Sequence, residues 1–224
     1  MLKQVFELIE KTKGFNLAEA SVLEMFAGNG MRTTTQYDDM VGHLTLWEIN
    51  PAHKKELEES FEDAEVVITD SYEAIKKVKA RFDIVLMDNP IVAMKNIENF
   101  GLFPFVFKAL KPHGFLIFNA VSNINLYGAY NHMERTNRKK VDKARMEFFN
   151  HAKTKIPQHK ITDKFHALAK KAGFEVISTH WERRNPAVSW FMEELKRPKK
   201  KPPTKKETIG ERIEKDKKKT IAKK

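Results

Sequence analysis

Between residues 22 and 88 four short apolar runs follow one another, and each finishes on a carboxylate, a repetition that constrains the fold more than any other feature of the chain. Val22-Leu-Glu24 leads directly into the turn Phe26-Ala-Gly28-Asn-Gly30, and Leu44-Thr-Leu-Trp47 ends on Glu48. Ala64-Glu-Val-Val-Ile-Thr69 ends on Asp70-Ser71, and Phe82-Asp-Ile-Val-Leu-Met87 ends on Asp88-Asn-Pro90. Runs of this length, separated by polar stretches long enough for a crossover helix, read as strands of an open, mostly parallel sheet. Ligands of such sheets bind beyond the carboxyl ends of the strands, so Glu24, Glu48, Asp70 and Asp88 are expected to converge on one crevice. The glycine turn fits a nucleoside cofactor: Gly28 and Gly30 let the backbone bend tightly and approach a ligand that a Cβ would repel. Glu48 stands eighteen residues past Gly30, the spacing at which an acid accepts hydrogen bonds from ribose hydroxyls.

Each acid also has a structural reading. Asp70-Ser-Tyr-Glu73 has capping-box spacing, Asn50-Pro51 is a good N-cap and first helical position, and Asp88-Asn-Pro90 is an ordinary turn tripeptide.

Together these residues resemble the class I S-adenosylmethionine-dependent methyltransferases over roughly residues 15–195. Glu24-Met-Phe-Ala-Gly-Asn-Gly30 is similar to their first motif, Glu48-Ile-Asn-Pro51 to the ribose motif and Asp70-Ser71 to the adenine-contacting motif. Phe82 to Pro90 is similar to the fourth motif, and Leu110-Lys-Pro-His-Gly114 with Phe115-Leu-Ile-Phe118 to the approach to the fifth strand. The resemblance implies an α/β Rossmann-like doubly wound sheet in three layers, closed by an antiparallel C-terminal hairpin, and S-adenosylmethionine as cofactor. It implies cofactor contacts from Glu24, Phe26, Gly28, Gly30, Glu48, Ile49, Asp70, Ser71 and Asp88, with Glu24 toward the amino-acid moiety and Asp70 toward the adenine amine. Asp88 is the implied catalytic residue, and Asn89 and Pro90 are implied substrate contacts. Family members that methylate exocyclic amines of bases usually carry two prolines and an aromatic after the acid or amide. Here Asp88-Asn-Pro-Ile91 lacks the first proline and the aromatic.

Methyl transfer asks little of a protein beyond alignment and desolvation, because the sulfonium is already activated. No Ser/His/Asp set is visible, the absence of cysteine excludes thiolate chemistry and Cys-ligated zinc, and the eight histidines lack metal-ligand spacing, so no metal is expected.

The remaining elements are an amphipathic helix carrying Leu2, Val5, Phe6 and Ile9, helices after Gly30, Asn50, Asp70 and Met94, and one near residues 162–172. Phe174 to His180 and Ala187 to Met192 read as a hairpin across Arg183-Arg-Asn-Pro186.

Charge divides the chain unevenly. Residues 196–224 carry 14 Lys/Arg against 4 Asp/Glu, so a folded unit of residues 1–195 is nearly neutral and a Lys-rich tail, expected to be extended or disordered, carries the basic character. Within the unit, residues 121–160 form an insertion on the substrate side. Its 134–160 stretch holds 9 Lys/Arg and 3 acids, with Tyr127 and Tyr130 as candidate substrate-stacking residues and Phe148 and Phe149 as packing residues. Basic tail and insertion together point to nucleic acid as partner, with RNA ahead of DNA because no sequence-reading DNA motif is present. The alternatives are a methyltransferase for a protein or small molecule, and a non-catalytic or nicotinamide-binding Rossmann protein. The last would need glycine where Thr33 stands. With no 18-residue apolar run and no signal-peptide pattern, the chain is expected to be soluble, cytoplasmic and independent of membranes.

Overall fold

The computed structural model describes residues 2–12, 14–88 and 99–198. The apolar runs are strands: Ser21–Met25 (β1), His43–Glu48 (β2), Glu65–Ile68 (β3), Phe82–Met87 (β4) and Leu110–Val121 (β5). Glu175–Arg183 (β6) and Val188–Lys196 (β7) form the closing hairpin. They build one seven-stranded sheet in the order β3-β2-β1-β4-β5-β7-β6, in which β7 alone runs antiparallel to its neighbours. The order reverses between β1 and β4, and that switch point opens the crevice at the strand ends.

Strands buried on both faces need apolar residues at every position, which is why β1, β4 and β5 read as continuous runs rather than alternating ones. One face (Leu23, Met25, Val85, Met87, Phe118) packs against Asn99–Ala109 (α4) and Gln158–Lys171 (α7), through Phe103, Phe107 and Phe165. The other (Val22, Leu46, Ile84, Leu86, Ile117) packs against Leu2–Glu10 (α1), whose Leu2, Val5, Phe6 and Ile9 are buried as the periodicity predicts, and Lys54–Ser60 (α2).

Two expected helices are reduced. After Gly30 the chain makes only two 3-10 turns, Thr34–Gln36 and Asp38–Met40. The β-branched run Thr33-Thr-Thr35 is a poor helix former, and Thr34 and Tyr37 are turned inward to a buried acid. After Asp70 a single helical turn, Ser71–Ala74 (α3), passes into a 3-10 turn. The insertion folds as a one-turn helix, Gly128–Asn131 (α5), and the hydrophilic Arg135–Phe149 (α6). Phe148 and Phe149 pack into the core, as expected.

β7 starts at Val188, beside Val121 at the crevice, and ends at Lys196, beside His113 at the opposite edge of the sheet. Arg197 is pinned there by its N–H to the Pro112 carbonyl, at 2.6 Å, and by its guanidinium over the Phe174 ring. The Lys-rich segment, whose residues 199–224 lie outside the described residues, therefore starts from the side of the sheet away from the crevice. Among the described residues no helix is long and apolar enough to cross a membrane.

Candidate active site

The turn after β1 places Phe26, Gly28 and Gly30 at φ of +66°, +61° and +75°. The two glycines hold this conformation for different reasons. A Cβ on Gly28 would enter open space, leaving its backbone free for a ligand, whereas one on Gly30 would run into the Phe61 ring. At Gly30 the positive φ and the packing against Phe61, at the end of α2, both call for glycine, whatever its backbone meets on the crevice side. Phe26 adopts a left-handed conformation despite its side chain, a strain of about 1–3 kcal/mol, and its ring leans on Tyr72 at 5.7 Å between centroids.

Glu48 closes this turn from the end of β2. One carboxylate oxygen accepts the Gly28 N–H at 2.8 Å and the other accepts the Asn50 N–H at 2.7 Å. Ile49, the next residue, is 64% exposed, a large apolar side chain left open at the rim. Asp70 uses one oxygen to cap α3, accepting the Tyr72 N–H at 2.8 Å, and is exposed, while Ser71 behind it is buried.

Glu24 lies fully buried beneath the turn. Its Oε2 accepts from the Thr34 hydroxyl at 2.7 Å and the Tyr37 hydroxyl at 2.5 Å, and its Oε1 is sealed without a partner among the described residues. Burial pushes the Glu24 carboxyl up to about 7, against the two hydroxyl bonds and with repulsion from Asp88 adding to the rise. Tyr37 is held by stacking on Phe6, with centroids 4.2 Å apart and rings 1° from parallel.

Asp88, just past β4, is gathered by donors from three other places. Oδ1 accepts from Asn119 Nδ2 at 2.5 Å and from Arg184 Nη1 at 2.6 Å, and Oδ2 accepts from the Thr33 hydroxyl. Arg184 lies over Trp190, its guanidinium carbon 5.2 Å from the ring centroid. None of these three partners was picked out in the sequence. Asn119 carries the clearest signal, a polar residue interrupting an apolar strand close to its carboxyl end. Arg184 reads as a turn residue until the hairpin is known to fold back onto the crevice.

The insertion divides its two candidate tyrosines. Tyr127 is half-buried, and burial raises its phenol above the ordinary value while the charges of Arg184 and Arg32 pull it down and that of Asp88 pushes it up, so it sits within electrostatic reach of the crevice. Tyr130 does not meet its expectation as a stacking residue. Its ring is buried with Val121, Ile124 and Val141, and its hydroxyl donates to Asp142, 2.9 and 2.8 Å from the two carboxylate oxygens, so it braces α5 against α6. Asn89 and Pro90 lie outside the described residues. Among the described residues no three His, Asp or Glu side chains gather as a metal site.

No protein-family model matches the sequence, and no curated protein matches it. Solved structures do share its fold. A SAM-dependent methyltransferase from Methanosarcina mazei gives a TM-score of 0.54 at 14% identity, over 80% of this chain and 93% of that one. M. jannaschii TYW2, solved with S-adenosylmethionine, gives 0.53 at 14% identity over 86% of this chain and 76% of that one. The plantazolicin methyltransferase BamL, solved with a triazolic desmethylPZN analogue and S-adenosylhomocysteine, gives 0.58 at 10% identity over 88% and 84%. At such identities the likeness is one of fold. Strand order, the reversed seventh strand and these neighbours agree: the chain has the fold of the class I, Rossmann-like S-adenosylmethionine-dependent methyltransferases.

Proposed function

We propose that this chain binds S-adenosylmethionine at the β1–β4 switch point and transfers its methyl group to a nucleic acid. The observation that carries the cofactor assignment is Glu48, an acid fixed by two backbone N–H groups directly against the glycine turn. Each of its oxygens keeps a lone pair for a ribose hydroxyl. The open space at Gly28 and the exposed Ile49 as an apolar face for a base fit the same ligand, whereas Glu24, fully buried with its Oε1 sealed from solvent, supports the turn from beneath instead of touching the amino-acid moiety. A nicotinamide dinucleotide fits less well, because Thr33 stands where its fingerprint needs a third glycine.

The bound cofactor supplies an activated methyl group. The chain's own residues orient and desolvate. Glu48 fixes the turn, Asp88 holds Thr33, Asn119 and Arg184 together, and Tyr127 feels the charges of Arg184 and Asp88. Asp88 is already engaged by three donors, which makes it a positioning residue rather than a base waiting for a target amine.

Nucleic acid as acceptor is supported by the net excess of 10 positive charges in residues 196–224 and by the basic insertion. A protein or small-molecule acceptor is the second reading. It is favoured by the cover of Arg184 over Asp88 and by the start of the Lys-rich segment on the far side of the sheet. Incubation with labelled S-adenosylmethionine and the RNA, DNA, protein and small-molecule fractions of an extract separates the two, label in RNA or DNA being the expected result and label confined to protein or small molecules the result that overturns it. A thermal-shift panel of nucleotides tests the cofactor independently, since a ligand at 100 times its Kd stabilises by about 2.7 kcal/mol.

A further inference from the structure

Two arginines are drawn into the fold near the crevice, and their unused donors differ. Arg145 of α6 is 1% exposed. It donates from Nη2 to the Val121 carbonyl at 2.7 Å and the Thr154 carbonyl at 3.4 Å, while its Nε and Nη1 are sealed inside the protein. That arginine is an anchor for the insertion. Arg184 spends a single Nη1 donor on Asp88 among the described residues, and none of its other nitrogens is sealed: the side chain keeps 19% of its surface open.

The plane of Arg184 is fixed twice over. Asp88 holds one prong at 2.6 Å and Trp190 lies under the guanidinium at 5.2 Å. Its backbone is fixed as well: the Arg184 N–H donates to the Val188 carbonyl at 2.9 Å, and Asn185 Oδ1 accepts from the Ala187 and Val188 N–H groups, both at 2.8 Å. A guanidinium held in this way has lost its side-chain entropy before any ligand arrives, and its free edge presents parallel N–H donors of the geometry that binds two oxygens of one oxyanion. Arg32, exposed on the turn after Gly30, is a second positive charge that acts on Tyr127 with the same sign as Arg184.

We propose that Arg184 is a substrate-binding residue that takes an oxyanion of the methyl acceptor, a phosphate next to the methylated nucleotide, with Asp88 and Trp190 as its positioning residues. This rests on the nucleic-acid methyltransferase reading above. A carboxylate of a small acceptor would present the same pair of oxygens, and the experiment separates the two sources.

The full-length chain, saturated with S-adenosylhomocysteine, is titrated with a labelled single-stranded RNA oligonucleotide over a range of salt. Arg184→Gln is expected to weaken binding about tenfold and to lower the slope of log affinity against log salt by about 0.7, the share of one phosphate contact on a single strand. Arg184→Lys keeps the charge and hence the slope, but loses the fork and several-fold in affinity. The double variant Asp88→Asn/Arg184→Gln, which leaves no lone charge at the site, is expected to bind RNA as weakly as Arg184→Gln. S-adenosylhomocysteine affinity, read by calorimetry, is expected to stay within about twofold in Arg184→Gln and Arg184→Lys, because the proposed contact is to the acceptor and not to the cofactor. Unchanged RNA affinity and slope in Arg184→Gln would reduce the residue to a clasp and overturn the proposal. So would selective loss of S-adenosylhomocysteine binding in Arg184→Gln, or a wild-type chain that binds S-adenosylhomocysteine but no oligonucleotide at low salt, which would point to a carboxylate. A wild-type chain that does not bind S-adenosylhomocysteine sinks the methyltransferase reading itself, and the Arg184 assignment with it.

Discussion

Glu48 and Asp88 stand on either side of β1, and the protein holds them by different means. Glu48 is held by backbone: both its partners are N–H groups, one two residues away and the other twenty. Asp88 is held by side chains from the turn after Gly30, from β5 and from the hairpin, the last of them 96 residues away. The Glu48 side of the crevice, where we place the cofactor, is thus a local device that any chain with this strand–turn–strand pattern can make. The Asp88 side, where we place the acceptor, exists only when the sheet has closed on β7. A backbone-held carboxylate tolerates drift in its neighbours' identities, whereas a side-chain cluster ties its site to particular residues. Such a division suits a fold that keeps one cofactor and changes its substrates.

If that contrast is right, the largest stability effect falls on the side-chain cluster. Asp88→Ala leaves the Arg184 guanidinium, 19% exposed, without its counter-charge and frees donors on Asn119 and Thr33. A loss of about 3–5 kcal/mol in urea unfolding is expected, with Asp88→Ala/Arg184→Met recovering part of it. A loss below about 1 kcal/mol would show that the cluster is a loose surface contact and would break the comparison.

Glu24 gives the next largest effect, and it is one of pH. Its folded value of about 7 lies above the ordinary 4.5, so the native state holds the proton where the unfolded chain has released it. Stability therefore falls as pH rises from about 4.5 through 7, by up to about 3 kcal/mol, and the penalty is complete above that range. Glu193 of β7, pushed up to about 8 by burial with neither oxygen hydrogen-bonded among the described residues, tilts stability the same way to a slightly higher pH. Glu24→Gln can keep the bonds from Thr34 and Tyr37 while removing the charge. Unfolding free energies at pH 5 and pH 8 should draw together in that variant by about 2.5 kcal/mol relative to the parent. A parent protein equally stable at both values would mean that Glu24 is not desolvated as described.

The same contrast explains what could be read from the residues alone. The strands, the switch point, the hairpin and the placing of acids at strand ends are legible because each is written in a contiguous run: apolar stretch, acid, glycine turn. The helix after Gly30 misleads because tertiary demand wins. Glu24 pulls Thr34 and Tyr37 inward, and the stretch before His43 is spent on two tight turns. Tyr130 misleads for a related reason, since a tyrosine in a Gly-containing loop looks exposed until Asp142, on a different helix, claims its hydroxyl. Thr33, Asn119 and Arg184 share no sequence pattern, and only the register of β5 with β7 brings the hairpin turn over the crevice.

On the cofactor side the expected loss is in binding more than in folding. Glu48→Ala should weaken S-adenosylmethionine at least tenfold in calorimetry, since it removes an acceptor for ribose hydroxyls and loosens the Gly28 turn. Its stability cost should stay below that of Asp88→Ala, because the released Gly28 and Asn50 N–H groups can be satisfied by water that enters the crevice. Unchanged affinity in a folded Glu48→Ala protein would remove the cofactor assignment from this acid.

The smallest effect sharpens the comparison at Asp70, where one carboxylate has two candidate duties. Its Oδ1 caps α3 by accepting the Tyr72 N–H, so Asp70→Ala should cost about 1 kcal/mol of stability, as the loss of an N-cap does. Its Oδ2 makes no hydrogen bond among the described residues, so this exposed acceptor at the end of β3 is free for the adenine amine, the second duty proposed for it. A neutral donor on an exposed carboxylate adds about 0.5–1.5 kcal/mol, so Asp70→Ala should weaken S-adenosylmethionine by about two- to twelvefold as well. Asp70→Ser divides the duties: a serine caps the helix nearly as well as aspartate but is too short to reach a base beyond it. Restored thermal stability with affinity still reduced is the expected pair of results. Recovery of both in Asp70→Ser would leave Asp70 a helix cap and nothing more, with the adenine held by apolar contacts such as Ile49 alone.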